Sequence, residues 1–167
     1  MLLKCQRLGW PVKKRLVDQT SGSDKCFCVI NQLNSYSGDI MFSHVMVGAN
    51  DLEASRKFYD SALGALGISP GVLNRDIRYF YRSPTGVFAF TLPLDNKPAT
   101  PANGGTIGFM AKSAELVDAF HSAGIANGGV SCEDPPGYRE GPAGKMYLAY
   151  LRDPIGNKIC AMFRAPK

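Results

Sequence analysis

The sequence predicts an α+β fold built from two tandem βαβββ modules that form a curved mixed sheet around a cavity. Two repeats within the chain predict it. Residues 42–67 recur as residues 104–129, with Ala49 matching Ala111, Glu53 matching Glu115, Phe58 matching Phe120 and Gly67 matching Gly129. Residues 82–86 (RSPTG) recur as residues 152–156 (RDPIG), and an apolar segment follows each copy. A duplicated unit of this size indicates two equivalent modules, with a cavity between them.

The first module opens with a strand, because residues 42–47 alternate as a half-buried strand does. Asn50 or Asp51 is the expected N-cap of the helix that follows. The apolar face of this helix recurs at three- and four-residue spacing and comprises Leu52, Ser55, Phe58, Tyr59, Ala62 and Leu63. Three further strands are predicted near residues 72–73, 77–82 and 87–92.

The second module repeats this order. Residues 106–110 predict its first strand, and Ser113 is the expected helix N-cap. The helix stripe returns as Leu116, Val117, Phe120 and Ala123. Three more strands are predicted near residues 130–132, 146–152 and 158–163. By strand parity, the cavity side carries His44, Met46, Ala89, Thr106, Cys160 and Met162. The same parity predicts that the side beneath the helices carries Val45, Phe88, Ile107 and Phe109.

Composition narrows the class of protein. The chain has 167 residues, of which 45% are hydrophobic and 20% are charged, as in a globular domain. No apolar run reaches the roughly 20 residues that span a bilayer, so we expect no membrane insertion. Residues 41–167 carry thirteen Lys or Arg and eleven Asp or Glu, a balance that argues against a nucleic-acid partner. Five dispersed cysteines indicate reduced thiols and a cytoplasmic location.

Residues 1–40 lie outside the repeat and show no sustained periodicity. A basic patch at residues 13–15 and polar stretches at residues 20–24 and 35–39 predict a mobile N-terminal extension. An edge strand formed by residues 26–32 is the alternative. We therefore expect the folded domain to comprise residues 41–167.

Three segments carry a resemblance to a known family. Residues 43–47 (SHVMV), 50–59 (NDLEASRKFY) and 153–159 (DPIGNKI) resemble the signatures of the glyoxalase/bleomycin-resistance/extradiol-dioxygenase superfamily, also called the vicinal oxygen chelate superfamily. The resemblance covers about residues 41–165. It implies a glyoxalase-like fold but no single reaction, because the superfamily contains lyases and isomerases, dioxygenases and non-catalytic drug-binding proteins.

The resemblance also implies where a metal ion would bind. Members that use a metal take one ligand from the first strand and one from the last strand of each module, which here are His44, Ala89, Thr106 and Cys160. Only His44 is the usual residue. No resident cofactor is therefore predicted, and a divalent metal held by His44 stays the alternative.

The candidate site follows from these positions and from residues 133–145, which are rich in Gly and Pro and predict a lid over the cavity. His44 and Glu140 are the candidate catalytic residues. The expected substrate-binding residues are Met46, Thr106, Met110, Tyr138, Arg139, Cys160 and Met162. A buried, unreactive thiol is the alternative role for Cys160, and a polar lining group is the alternative role for His44.

Two functions fit these sequence features. In the first, the protein binds a small oxygenated metabolite. If it also transforms this metabolite, we expect a lyase-like or dioxygenase-like enzyme of the superfamily, without true lactoylglutathione lyase activity. The second is a non-catalytic ligand or drug sequestration protein of the bleomycin-resistance type. The expected partners are a small-molecule ligand and a second copy of the chain in a homodimer.

Overall fold

A computed structural model describes residues 42–141 and 144–164, so the predicted extension at residues 1–40 lies outside the described residues. The elements of the first module are β1 (His44–Gly48), α1 (Leu52–Ala65), β2 (Val72–Asn74), β3 (Arg78–Ser83) and β4 (Gly86–Thr91). Those of the second are β5 (Ile107–Met110), α2 (Ala114–Ala126), β6 (Val130–Ser131), β7 (Gly137–Gly141), β8 (Gly144–Arg152) and β9 (Lys158–Arg164). Neither helix is long and apolar enough to cross a bilayer within the described ranges.

The first module forms a four-stranded sheet in the order β1-β4-β3-β2, in which only the β1–β4 pair is parallel. Phe88 and Phe90 of β4 lie against Tyr59 of α1, with ring centroids 4.8 and 5.3 Å apart. Their register partners Val45 and Val47 share that face. His44 and Met46 therefore lie on the opposite, concave face, which confirms the predicted strand parity.

The second module repeats the plan with the order β5-β9-β8-β6 and a parallel β5–β9 pair. Cys160 pairs with Gly108 and with Tyr150, and Met162 pairs with Met110 and with Leu148. These residues lie on the concave face of the second sheet. The predicted fold class is confirmed, with its strands divided into two hydrogen-bonded sheets.

The predicted lid over residues 133–145 is wrong as a description of local structure, because most of it forms a β-hairpin. Strand β7 pairs antiparallel with the beginning of β8, from Gly137 opposite Leu148 to Gly141 opposite Gly144. Tyr138 packs edge-on against Tyr147 with ring centroids 4.9 Å apart, a cross-strand pair that favours this register. Glycines, which are loop signals in the sequence, form both ends of β7, and two prolines precede it.

Both helices begin at the predicted caps. The Asp51 side chain accepts hydrogen bonds from the backbone N–H groups of Glu53 and Ala54, each at 2.9 Å. Ser113 Oγ accepts from the N–H of Leu116 at 3.4 Å. Side-chain acceptors at these positions satisfy N–H groups that have no partner within the helix.

The two helices pack against each other through a glycine. A Cβ atom at Gly124 of α2 would lie 2.4 Å from Cδ1 of Leu151 and 3.2 Å from Cε2 of Phe58. Both neighbours are fully buried. Gly124 occupies the position of Ala62 in the repeat, and the missing methyl group lets α2 approach α1 and β8.

A buried carboxylate joins the modules. The Tyr59 hydroxyl of α1 donates to Asp153 Oδ2 at 2.8 Å, and Asn157 Nδ2 donates to the same oxygen at 2.8 Å. Asn157 Nδ2 also donates to the carbonyl of Gly48 at the end of β1, at 3.1 Å. We call the side chains of Tyr59, Asp153 and Asn157 the junction lock. It attaches the β8–β9 turn of the second module to α1 and β1 of the first.

Substitution of Gly124 tests the helix contact. We expect Gly124→Ala to lower the free energy of unfolding by about 1–2 kcal/mol, because overpacking a filled site outweighs the gain in helix propensity. Gly64→Ala in α1 is the matched control, since a Cβ atom there meets nothing within 4 Å. It should raise stability by up to about 1 kcal/mol. Urea unfolding of both variants measures the difference, and equal effects would contradict the packing argument.

Removal of one hydroxyl tests the junction lock. Tyr59→Phe deletes a hydrogen bond to a buried carboxylate and should lower the free energy of unfolding by about 1.5–3 kcal/mol. Tyr79→Phe is the control, because the Tyr79 ring stacks on Phe90 but its hydroxyl has no partner among the described residues. That control should cost no more than about 0.5 kcal/mol. Thermal melts and urea titrations provide the comparison, and a Tyr59→Phe protein as stable as the control would contradict this role.

Candidate functional site

An apolar cleft lies where the two modules meet. The β3–β4 turn and the beginning of β1 form one side of it, and the end of β5 forms the other. We call it the junction cleft. It encloses about 410 Å³. Its walls are formed by Phe42, His44, Val45, Ile68, Tyr81, Arg82, Ser83, Thr85, Gly86, Val87, Phe88, Ile107, Gly108, Phe109, Met110 and Lys112.

The cleft has an aromatic wall that both modules supply. The rings of Phe88 and Phe109 meet edge to face, with centroids 5.3 Å apart. Two large apolar side chains line the opening and remain exposed to solvent: Phe42 is 63% exposed and Met110 is 65% exposed. Exposed apolar groups gathered at a concave surface are typical of a binding site.

His44 is the titratable side chain of β1 in this cleft. Its Nδ1 atom lies 2.9 Å from the hydroxyl oxygen of Ser43. In the tautomer protonated at Nε2, Ser43 donates to Nδ1, and Nε2–H is left to donate to an oxygen atom of a ligand. Polar partners of other kinds line the same cleft, namely Arg82, Ser83, Thr85 and Lys112.

A difference in turn length explains why the cleft is open. Arg82 pairs with Val87 across the first turn, and Arg152 pairs with Lys158 across the second. The second turn is thus one residue longer, and its additional residue is Asn157, which reaches Gly48 in the junction lock. The first turn has no such residue. The end of β5 therefore lacks the contact that closes the end of β1.

The structure brings only some of the predicted residues together. His44 and Met110 both line the junction cleft. Met46, Cys160 and Met162 lie on the concave face but are not among the residues that line this cleft. Thr106 lies at the other end of β5, beside a cavity of about 90 Å³ that Val47, Asn157 and Lys158 also line.

The residues predicted on the lid do not converge on the cleft. Within β7, Tyr138 and Glu140 pair with Tyr147 and Lys145 and share the face of the sheet that carries α2. Arg139 lies on the concave face. Because strand parity directs Glu140 away from the face that carries His44, the two candidate catalytic residues are not brought together.

Arg139 has a structural role in the β7 hairpin. Its guanidinium donates to the carbonyl oxygens of Gly137, Leu148, Asp134 and Pro135 at 2.9–3.1 Å. An arginine has five N–H donors, so these bonds leave one for other partners. These bonds hold residues 134–137 against β8, and substrate binding by Arg139 stays a prediction.

The four metal positions implied by the resemblance carry few donor atoms. Ala89 is fully buried and has no donor atom. Cys160 is buried, and burial raises the pKa of its thiol to about 11. Across residues 42–141 and 144–164, no three His, Cys, Asp or Glu side chains are grouped closely enough to hold an ion. The four positions therefore offer one imidazole, one hydroxyl and one thiol in place of the usual set, and the absence of a resident metal stays a prediction.

The sequence did not reveal the wall residues of the cleft. Val45, Phe88, Ile107 and Phe109, predicted to pack beneath the helices, also border the opening between the modules. The topology could have predicted them. β1 and β5 both lie at sheet edges, and a gap between two edge strands exposes side chains from both faces of each sheet.

Alkylation tests the state of Cys160. In the native protein at pH 8, iodoacetamide should modify the half-buried Cys132 well before the buried Cys160, because a thiol with a pKa of about 11 is thiolate in roughly one molecule in a thousand. Modification of Cys160 should accelerate as the pH approaches that value. Peptide mass mapping follows both residues, and unfolded protein serves as the control. Equal native rates at pH 8 would contradict the assignment.

Comparison with known proteins agrees with this architecture. The family model described as Glyoxalase/Bleomycin resistance protein/Dioxygenase superfamily matches residues 41–161. A glyoxalase/bleomycin resistance protein from Albidiferax ferrireducens T118 is 67% identical, with a TM-score of 0.73 over 74% of this chain and 99% of that chain.

More distant structures share the fold alone. A glyoxalase-related enzyme from Fulvimarina pelagi is 22% identical, with a TM-score of 0.57 over 74% of this chain and 87% of that chain. The lactoylglutathione lyase from Agrobacterium tumefaciens is 23% identical, with a TM-score of 0.51 over 73% of this chain and 92% of that chain. Comparison with curated proteins gave no match.

Proposed function

The chain belongs to the glyoxalase/bleomycin resistance protein/dioxygenase superfamily, and we propose that it binds a small, largely apolar, oxygenated metabolite in the junction cleft without a metal ion. One observation carries this proposal: an open cleft between the modules combines aromatic walls with His44 at its edge. Its volume of about 410 Å³ lies within the range of small-molecule sites.

The walls and the polar groups have separate roles in this proposal. Phe88, Phe109 and Met110 supply apolar contact area, which provides most of the affinity for a ring or a short hydrocarbon chain. The His44 imidazole, held by Ser43, donates a hydrogen bond to a carbonyl or hydroxyl oxygen of the ligand. One oriented polar contact fixes how an apolar ligand lies in its site.

Turnover is the second candidate function. In the other tautomer of His44, Nδ1–H donates to the Ser43 hydroxyl oxygen and Nε2 carries a free lone pair, so that Nε2 can act as a general base toward a bound ligand. Native mass spectrometry identifies any small molecule that co-purifies with the protein, and incubation of the protein with that molecule distinguishes the two functions. Recovery of unchanged ligand supports sequestration of the bleomycin-resistance type, whereas conversion that His44→Ala abolishes supports an enzyme.

Some partner assignments stay predictions from the sequence. We expect a homodimer, a cytoplasmic location and no nucleic-acid ligand. The β2 edge of the first sheet, where Val72 is 64% exposed and Leu73 is 45% exposed, is one surface available to a second copy. Sedimentation equilibrium of the purified chain measures its oligomeric state.

A neutral probe tests the binding proposal. Acetophenone combines an apolar ring with one carbonyl group, and we expect it to shift the backbone amide resonances of Gly86, Gly108 and Lys112 in ¹H–¹⁵N correlation spectra. Met110→Trp should weaken its binding about tenfold or more, because the larger side chain fills the cleft.

Val130→Trp is the matched control for that experiment. Val130 is 61% exposed and lies on the same face as Met110, but on the opposite edge of the second sheet. It should leave acetophenone binding unchanged. Amide resonance shifts spread evenly over the protein surface would overturn the assignment of the cleft. An equal loss of acetophenone affinity in Met110→Trp and Val130→Trp would do the same.

A further inference from the structure

Two cationic side chains face a glycine-rich loop at the end of β5 opposite the junction cleft. Arg152 and Lys158 are directly paired across β8 and β9. Together with residues 101–105 (PANGG) they line a cavity of about 360 Å³. We propose that Arg152, Lys158 and this loop form an anion-binding site for the carboxylate or phosphate group of a small molecule.

A hydrogen bond to the β8–β9 turn orients the Arg152 guanidinium. Its Nη1 atom donates to the carbonyl of Gly156 at 2.9 Å. That bond uses one of the five N–H donors of the guanidinium and fixes its plane. The remaining donors suit two oxygen atoms of one carboxylate or phosphate, which is the geometry in which arginine binds such groups most strongly.

Lys158 already binds a carboxylate. Its ammonium group forms an ion pair with Glu133 and lies 5.0 Å from the centroid of the Tyr150 ring. Hydrogen bonding to Glu133 raises the pKa of Lys158, so the ammonium stays charged at neutral pH. Glu133 therefore acts as an internal counter-ion that an external anion displaces.

The backbone of Glu133 has an unusual conformation. Glu133 has a φ of +59°, in the left-handed region that residues other than glycine rarely adopt. Such conformations cost free energy and cluster at binding sites. Its side chain is 42% exposed, so it can leave Lys158 and enter solvent when an anion binds.

The loop opposite these cations is open to a ligand. Gly104 has a φ of +83°, and a Cβ atom placed there would meet nothing within 4 Å. The N–H of Gly105 donates to the carbonyl of Ala102 and closes a turn. Because no side chain projects from Gly104 and the described residues leave the space beside it empty, oxygen atoms of a ligand can approach its backbone closely.

The surrounding charges also favour an anion. The charged residues on the concave face of the described strands are all cations, namely Arg78, Arg82, Arg139, Arg152, Lys158 and Arg164. Within those strands, Glu140 lies on the other face. Outside the strands, Glu133 pairs with Lys158 and Asp134 lies 4.0 Å from Arg139, which leaves an excess of positive charge that attracts anions.

Isothermal titration calorimetry with inorganic phosphate and, separately, with malonate tests the site at low ionic strength. Lys158→Gln and Arg152→Gln should each weaken binding about tenfold or more, as expected for the loss of a charge-assisted hydrogen bond. Glu133→Gln should tighten binding several-fold, because it removes the competing carboxylate. A structural role for the ion pair predicts the opposite sign, since loss of Glu133 would then disturb the site.

Arg164→Gln is the matched control. It removes one positive charge from the same face of the same strand, about 20 Å along β9 at 3.3 Å per residue. It should leave both anions bound as in the parent protein. Phosphate binding without malonate binding assigns the site to phosphate, and the reverse assigns it to carboxylates.

Three results would overturn the proposal: no heat of binding for either anion, an equal loss in Arg164→Gln, or weaker binding in Glu133→Gln. Circular dichroism melts of every variant establish that each one is folded before titration. Met110→Trp should bind both anions as the parent does. Failure of the acetophenone experiment therefore leaves this site unaffected, and failure here leaves the junction cleft unaffected.

Discussion

The buried carboxylate of Asp153 is the constraint on which the arrangement of the modules depends. A carboxylate that is only 3% exposed requires hydrogen bonds from every side, since burial of an unpaired charge is strongly unfavourable. Asp153 accepts from the Tyr59 hydroxyl, the Asn157 side chain and the backbone N–H groups of Ile155 and Asn157. Because Tyr59 belongs to the other module, satisfying this charge also positions one module against the other.

Within the described ranges, the first module has no counterpart of the junction lock, and comparison of the two copies shows why. In the repeat, Ser83 corresponds to Asp153, and His121 corresponds to Tyr59. His121 instead lies 2.9 Å from the Ser131 hydroxyl oxygen within its own module. Among the described residues, the first turn therefore makes no equivalent attachment to the second module. One end of the modular interface is held closed by polar contacts, and the other end opens as the junction cleft.

Local sequence patterns predicted most helices and strands, but they did not predict contacts between residues that lie far apart in the sequence. Helix caps, apolar stripes and strand parity depend on neighbours a few residues apart. Ser113 and the concave face were therefore predicted correctly, and Asp51 was one of the two candidates for the first cap. Strand β7 was missed because its stability comes from pairing with β8, which Tyr138 and Tyr147 favour. The cleft depends on two edge strands that lie far apart in sequence, and no local signal encodes their separation.

The two ends of the modular interface have diverged in chemistry from one ancestral plan. Strand register makes Val87 the counterpart of Lys158, since each pairs with the arginine that precedes its turn. At the end of the modular interface that forms the junction cleft, Val87 lines an apolar wall beside His44. At the end held by the junction lock, Lys158 lies beside Thr106 and carries a positive charge. The longer second turn shifts this correspondence by one residue relative to the repeated motif. Direct alignment of the motif therefore matches Lys158 with Phe88 and hides the exchange of an apolar side chain, Val87, for a cation, Lys158.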